Sequence, residues 1–350
     1  MKKRMKAILA DRGRPAEPAS PPVGPNPVAK PFAIGSLELS NRLVQAPLAG
    51  IANWAFRRQS RRHGAGLTVS EMVSSFGVFH GNQKTTRMLR IVADEHPVGV
   101  QVFGAHPEVM AEAARAAEAA GADLVDINMG CPVSKVCKTG AGAKMLDDPD
   151  AAARVIEAMA RAVAIPVTAK MRRGMTPATS RPAETARRLE SAGAAAICLH
   201  PRAAAEEYGG HADHRITAEV VAAVSVPVIA SGDIDSAAAA RRVMEETGCA
   251  AVAIGRAALG NPWVFGEILA GAARPRPALD EVVDEVERFA ADLREAVGDD
   301  RAGAEMRKFY PWYLAGHDVP KEEIDALLVA PGLDAALGRL RALRAEPLAA

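Results

Sequence analysis

The chain has 350 residues, of which 49% are hydrophobic and 24% charged, and a formal net charge of +1. This is an ordinary soluble globular composition, long enough for one large core and an appendage. A charge near zero excludes a global attraction to polyanions and leaves only local basic patches to provide one. Cys131, Cys137, Cys198 and Cys249 form no Cys-x-x-Cys pair and lie near no histidine at ligand spacing, so no metal is expected and a reducing compartment suits them. The N-terminus is basic, but its apolar run at 7–10 is too short for a signal-peptide core. No stretch approaches a membrane span, so a cytoplasmic protein without membrane contact is expected.

Prolines recur from Pro15 to Pro31 with few large apolar residues between them, and residues 1–30 read as a disordered Pro-rich tail that the fold does not need. From Leu43 onwards short apolar strands alternate with Ala-rich amphipathic helices. The expected strands are 43–49, 67–72, 99–103, 124–128, 167–171, 196–200, 228–231 and 251–254. Helices fit the gaps at 107–120, 149–163, 182–192 and 236–247, opening on Pro107, Pro149, Pro182 and Ser236 as helix starts do. This repeat predicts a (β/α)8 TIM barrel over residues 31–272. The rhythm stops after Gly271. Amphipathic helices at 278–297 and 302–314, with Phe289, Leu293, Phe309, Trp312 and Tyr313, predict a small all-α C-terminal domain over residues 273–350.

Nearly every expected strand ends on a functional-looking group: Pro47, Glu71, Gln101, Asn128, Lys170, His200, Ser231-Gly232-Asp233 and Gly255-Arg256. In a barrel those ends converge on one face, where active sites are built. The loops at 231–233 and 255–256 place small residues where backbone amides can approach a phosphate, at the two positions where barrels hold one. Lys170 closes an apolar strand, and a cation in a barrel mouth needs an anionic or electron-accepting partner. A flavin would provide one, and a Schiff-base or salt-bridged lysine is the alternative. A single phosphate cradle without a Gly-x-Gly-x-x-Gly turn favours FMN over a dinucleotide. Cys131 follows a turn-making glycine and precedes a proline, a setting for a reactive thiol or for an inert turn residue.

Over residues 32–315 the chain resembles the tRNA-dihydrouridine synthases, and among them the bacterial B-type subgroup. The resemblance rests on Ala46-Pro-Leu-Ala-Gly50, Gln101-Val-Phe-Gly104, Asp126-Ile-Asn-Met-Gly-Cys-Pro132, Thr139-Gly-Ala-Gly-Ala143, Lys170-Met-Arg172, His200-Pro-Arg202, Tyr208-Gly-Gly-His-Ala-Asp213, Ser231-Gly-Asp233 and Gly255-Arg-Ala-Ala-Leu-Gly-Asn-Pro-Trp263. It implies an FMN-dependent oxidoreductase that reduces the 5,6 double bond of selected uridines in tRNA, with electrons from NADPH or NADH. By the same resemblance Pro47, Leu48, Ala49, Gln101, Lys170, His200, Ser231, Gly232, Asp233, Gly255 and Arg256 contact FMN. Asn128, Arg172 and Arg202 contact the substrate uridine and its phosphates, and Cys131 is the proton donor. Leu48, Asn53, Ser231, His214 and Phe309 stand where the family commonly has Met, Asp, Asn, Trp and His.

Under this reading, hydride delivered to uracil C6 leaves an enolate-like C5 that Cys131 protonates from the opposite side. A thiol with an ordinary pKa of about 8.5 carries its proton at neutral pH and suits that step. The base must leave its stack, which is cheapest in splayed RNA loops. The expected basic track for the backbone comprises Arg57, Arg58, Arg61, Arg62, Lys84, Arg87, Arg172, Arg202, Arg307 and Lys308, on a monomeric protein with residues 273–350 as a tRNA-binding part. A barrel reducing a free pyrimidine would share the cofactor loops without needing the C-terminal helices. An RNA-binding protein that had lost catalysis would not need Cys131, Lys170 and His200.

Overall fold

The computed structural model describes residues 26–344. Eight parallel strands close into a barrel: β3 (Leu43–Gln45), β4 (Leu67–Val69), β6 (Val98–Phe103), β7 (Leu124–Met129), β8 (Val167–Arg172), β9 (Ala196–His200), β10 (Val228–Ser231) and β11 (Ala251–Ile254). Closure comes from β4 pairing with β6, while the short β5 (Val73–Ser74) extends the mouth end of β6 by pairing with Val102 and Phe103. The strands are largely apolar because helices cover them outside and side chains fill them inside, as parallel sheets require, with Gln101, Asp126, Thr168 and Lys170 among the polar exceptions.

Helix starts follow the local chemistry. Pro107, Pro149 and Pro182 open Pro107–Ala119, Pro149–Ala162 and Pro182–Ser191, where the missing amide hydrogen costs nothing. The Asp148 side chain caps Ala151 N–H, and Ser236 caps the helix Ala237–Thr247, which ends on Gly248 at φ 68°.

Three features differ from the sequence reading. A hairpin of β1 (Phe32–Ile34) and β2 (Leu37–Leu39) turns at Gly35, at φ 56°, and packs Ile34 and Leu39 against Leu67, Leu124, Ala196 and Ala251 to seal the floor of the barrel. Residues 26–30, assigned to the tail, belong to the fold. Asn26 Nδ2 donates to the carbonyls of Ile268 and Leu269 at 2.7 and 2.8 Å, and Val28 is 1% exposed in the core. The rest of that expected tail, residues 1–25, lies outside the described residues. Finally, the single helix expected at 302–314 is two, Asp299–Met306 and Tyr310–Tyr313, because Pro311 opens the second as a helix start.

The C-terminal helices, with Leu279–Val297 the longest, are not a separate globule. Phe289, Phe309, Tyr313 and Leu337 share one apolar cluster with Phe56 of the barrel helix Trp54–Arg62 and with Phe265 of Val264–Ala270. Removing residues 1–30 is expected to lower stability by about 2–4 kcal/mol relative to removing 1–25, through the loss of Val28 burial and the Asn26 hydrogen bonds. Denaturant midpoints of the two truncations measure it, and equal midpoints would put the boundary back at residue 30.

Candidate active site at the barrel mouth

All eight barrel strands are parallel, so their C-terminal ends converge on one mouth. Pro47, Leu48 and Ala49 follow β3, Cys131 follows β7, Gly232 and Asp233 follow β10, and Gly255 and Arg256 follow β11. Gln101, Asn128, Lys170, Arg172, His200 and Ser231 lie in the C-terminal halves of their strands, and Lys170 lines the barrel interior with Pro47, Asp126, Thr168 and Cys198. The fold thus brings every expected cofactor and substrate residue to one end.

Cys131 sits on a turn pinned from both sides. Its N–H donates to Asn128 Oδ1 at 2.9 Å, while its carbonyl accepts from Ala143 N–H at 3.1 Å and from Cys137 Sγ at 3.4 Å. Gly142, at φ 65°, passes so close that an added Cβ would lie 2.7 Å from the Cys131 carbonyl oxygen. Behind the turn, Asn128 Nδ2 donates to Gln101 Oε1 at 2.9 Å and Gln101 Nε2 donates to Asp126 Oδ2 at 2.7 Å. Thr168 Oγ1 donates to the other Asp126 oxygen at 2.7 Å. Asp126 is wholly enclosed, and burial pushes its carboxyl up to about 6 against the pull of Gln101, Thr168 and the Lys170 charge.

The opposite rim is organised by Asp233, which holds a left-handed backbone at φ 52°. Its carboxylate receives Arg202 in a two-pronged bond at 3.0 and 2.6 Å, Ala212 N–H at 2.8 Å and Arg256 Nη2 at 3.3 Å. Burial opposes ionisation there, but Arg202 and these partners hold the carboxyl below its ordinary range. Gly232, at φ 108°, admits no side chain, since a Cβ would sit 2.5 Å from His200 Cδ2. Burial, reinforced by Lys170, Arg172, Arg202 and Arg256, lowers His200 to about 2, so its ring is neutral and Nε2 can accept from Arg202 Nη1 at 3.2 Å.

Arg202 therefore has its guanidinium fully occupied: it is 2% exposed and also donates to the carbonyls of Gly209 and Gly210. It shapes the rim and offers no open fork to a phosphate. Arg172 donates to the Ala203 carbonyl at 2.9 Å and passes beside Gly130, next to Cys131. The half-exposed Tyr208 ring stands at the mouth, 5.4 Å from the Arg172 and 4.8 Å from the Arg256 guanidinium.

Much of the expected basic track has other work. Arg57 is 1% exposed and paired with Glu95, while Arg58 and Arg62 bind Asp292 of the helix Leu279–Val297, and Arg61 turns back onto the Ala65 carbonyl. Arg307 donates to the Ala330 carbonyl and Lys308 to that of Gly50, each at 3.0 Å. Arg58, Arg62 and Lys308 join the barrel to its C-terminal helices, whereas Arg57 and Arg61 bind within the barrel and Arg307 within the helices. Lys84 and Arg87 stay exposed and make no ion pair among the described residues; Lys135 and Lys138, just beyond Cys131, do the same. His214 rests against the Gly232 carbonyl at 3.0 Å, and Phe309 is buried against Phe289 and Trp312, so both replacements are packing features.

The sequence motifs contain Asp126 and Tyr208 without assigning either a role, and none marks Thr168. A signal existed for two of them. Asp126 has the same strand parity as Asn128, and Thr168 the same as Lys170, so each points to the interior of an otherwise apolar strand.

A closed parallel barrel with Gly232 and Gly255 on the rim opposite a pinned cysteine has the architecture of a barrel enzyme, whose active site lies at the strand C-termini. Residues 44–327 match the family model described as Dihydrouridine synthase (Dus), and the chain belongs to that family. It is 41% identical over 286 residues to tRNA-dihydrouridine synthase B of Pseudomonas aeruginosa, covering 81% of this chain and 86% of that protein. Identity to the Vibrio cholerae protein of the same name is 38% over 289 residues, covering 81% and 90%. Among solved structures, a morphinone reductase variant with tetrahydroNAD superposes with a TM-score of 0.54 at 16% identity, over 74% of this chain and 94% of that one. A 2-naphthoyl-CoA reductase complex gives 0.56 at 12%, over 71% and 52%. Both share the barrel fold.

Proposed function

We propose that the protein is an FMN-dependent tRNA-dihydrouridine synthase, reducing uridine in tRNA with NADPH or NADH as electron donor and working as a cytoplasmic monomer. The observation that carries this reading is the pairing of a Gly232/Gly255 cradle on one rim with the pinned Cys131 turn on the other. The residues suit a flavin phosphate and ring: Gly232 and Gly255 offer backbone without side chains, a Cβ at Gly232 being barred by the His200 ring at 2.5 Å, and Lys170, Gln101 and the neutral His200 are the groups that would meet the ring edges. When bound, FMN supplies the hydride for uracil C6. Cys131 then gives its proton to C5, and Asn128 and Arg172 hold the base beside it. Arg202 keeps Asp233 and the rim in place without touching the substrate.

For the RNA, exposed cations without an ion pair among the described residues include Lys135 and Lys138 after Cys131, with Lys84 and Arg87 beyond the exposed rings of Phe76 and Phe79. Cations hold phosphates and exposed rings stack splayed bases, so this rim suits a looped-out strand better than the Arg307/Lys308 helix end. Incubation of the purified protein with NADPH and tRNA from cells lacking this gene should form dihydrouridine, and denaturation should release FMN. Turnover of free uridine with no action on tRNA would replace this reading with a small-molecule reductase.

A further inference from the structure

Asn128 and Gln101 carry terminal amides, which can present either an oxygen or an NH2 to a given neighbour. Here both are oriented by what lies at the ends of their chain. The N–H groups of Gly130 and Cys131 demand an acceptor at 3.2 and 2.9 Å, so Asn128 must turn Oδ1 to the turn and Nδ2 to Gln101. Gln101 must then turn Nε2 away from Asn128, and that donor is buried, 1% exposed, away from bulk solvent. An acceptor is required at its far end. Asp126 provides it, itself steadied by the Thr168 hydroxyl.

We propose that Asp126 is a positioning residue that fixes the polarity of the Gln101 and Asn128 amides and thereby the geometry of the turn carrying Cys131. Its contribution is a hydrogen-bond acceptor at the base of the relay, so an uncharged acceptor should serve as well as the carboxylate. The proposal rests on the active-site reading above, but it concerns the resting protein and is read without turnover.

The relay predicts a specific pattern of substitution. Asp126→Asn can offer its oxygen to Gln101 and its NH2 to Thr168, whose hydroxyl rotates to accept, so every bond is kept. Gln101→Glu sets two buried carboxyl groups against each other. The double variant Asp126→Asn with Gln101→Glu restores the pattern in reverse, because residue 101 then accepts from both sides.

The measurement is the rate of Cys131 alkylation by iodoacetamide against pH, followed by peptide mass spectrometry. Trypsin cleavage after Lys135 separates Cys131 from Cys137. Asp126→Asn should stay within about twofold of the wild-type rate and profile. Gln101→Glu should change the rate by fivefold or more and add a titration step, and the double variant should return to within about twofold. If Gln101→Glu fails to fold and the double variant folds, that rescue supports the relay. If neither folds, Asp126→Leu decides: it must differ from Asp126→Asn by fivefold or more. A wild-type profile in Gln101→Glu, no rescue in the double variant, or an Asp126→Asn protein as perturbed as Asp126→Leu would overturn the proposal; the last would assign Asp126 to charge balance with Lys170. Loss of tRNA reduction in Cys131→Ala tests the active-site reading separately.

Discussion

Replacing Cys131 with alanine is expected to slow dihydrouridine formation by about 10²–10⁴-fold, the usual contribution of a positioned general acid, while flavin reduction by NADPH proceeds at the wild-type rate. The two half-reactions separate because β10 and β11, which carry Gly232 and Gly255, lie across the barrel from β7 and its cysteine turn. The backbone bonds of residue 131 to Asn128 and Ala143 also persist in the variant, so the turn keeps its shape. Stopped-flow bleaching of the flavin and mass analysis of tRNA follow the two steps independently. Unchanged tRNA reduction would make Cys131 a turn residue only.

The largest loss of stability is expected at Arg57. Its guanidinium grips Glu95 at 2.6 and 3.0 Å and also donates to the carbonyls of Ala52 and Arg90 at 3.1 and 2.9 Å, with both side chains shut off from solvent. Arg57→Ala leaves the Glu95 charge buried with, among the described residues, only the Val92 amide as a hydrogen-bond partner, which should cost about 3–5 kcal/mol. Removing the charge as well, in Arg57→Met with Glu95→Gln, should recover part of that loss. Denaturant midpoints of the three proteins check this. A mild effect of Arg57→Ala, or additive losses in the double variant, would show that the pair is not the reason for the loss.

The barrel could be read from the sequence because its signals are local: a short apolar run, a helix-starting Pro or Ser, and a polar residue at each strand end. Strands 196–200, 228–231 and 251–254 coincide with β9, β10 and β11. The first two fell short because Pro47 interrupts the ladder and residues 70–72 leave it before β5. What could not be read depends on partners far along the chain. A positive charge on a helix looks the same whether it faces solvent, as Lys84 does, or a distant acid, as Arg58 faces Asp292. Likewise Val28 gave no sign that the helix ending at Ala270 would bury it, and Asp126 acquired its role only when β7 came to lie beside β6 and β8.

The segment Pro47–Gly50 is held from both flanks: Gly50 N–H donates to Glu71 of the barrel at 2.9 Å, and its carbonyl accepts from Lys308 of the C-terminal helices. A ligand that tightens this segment from the mouth also tightens the docking of those helices, and by reciprocity firmer docking must raise affinity at the mouth by the same factor. With the proposed cofactor contacts at Pro47–Ala49, binding at the mouth and the seating of the C-terminal helices would be linked through one backbone unit, Gly50.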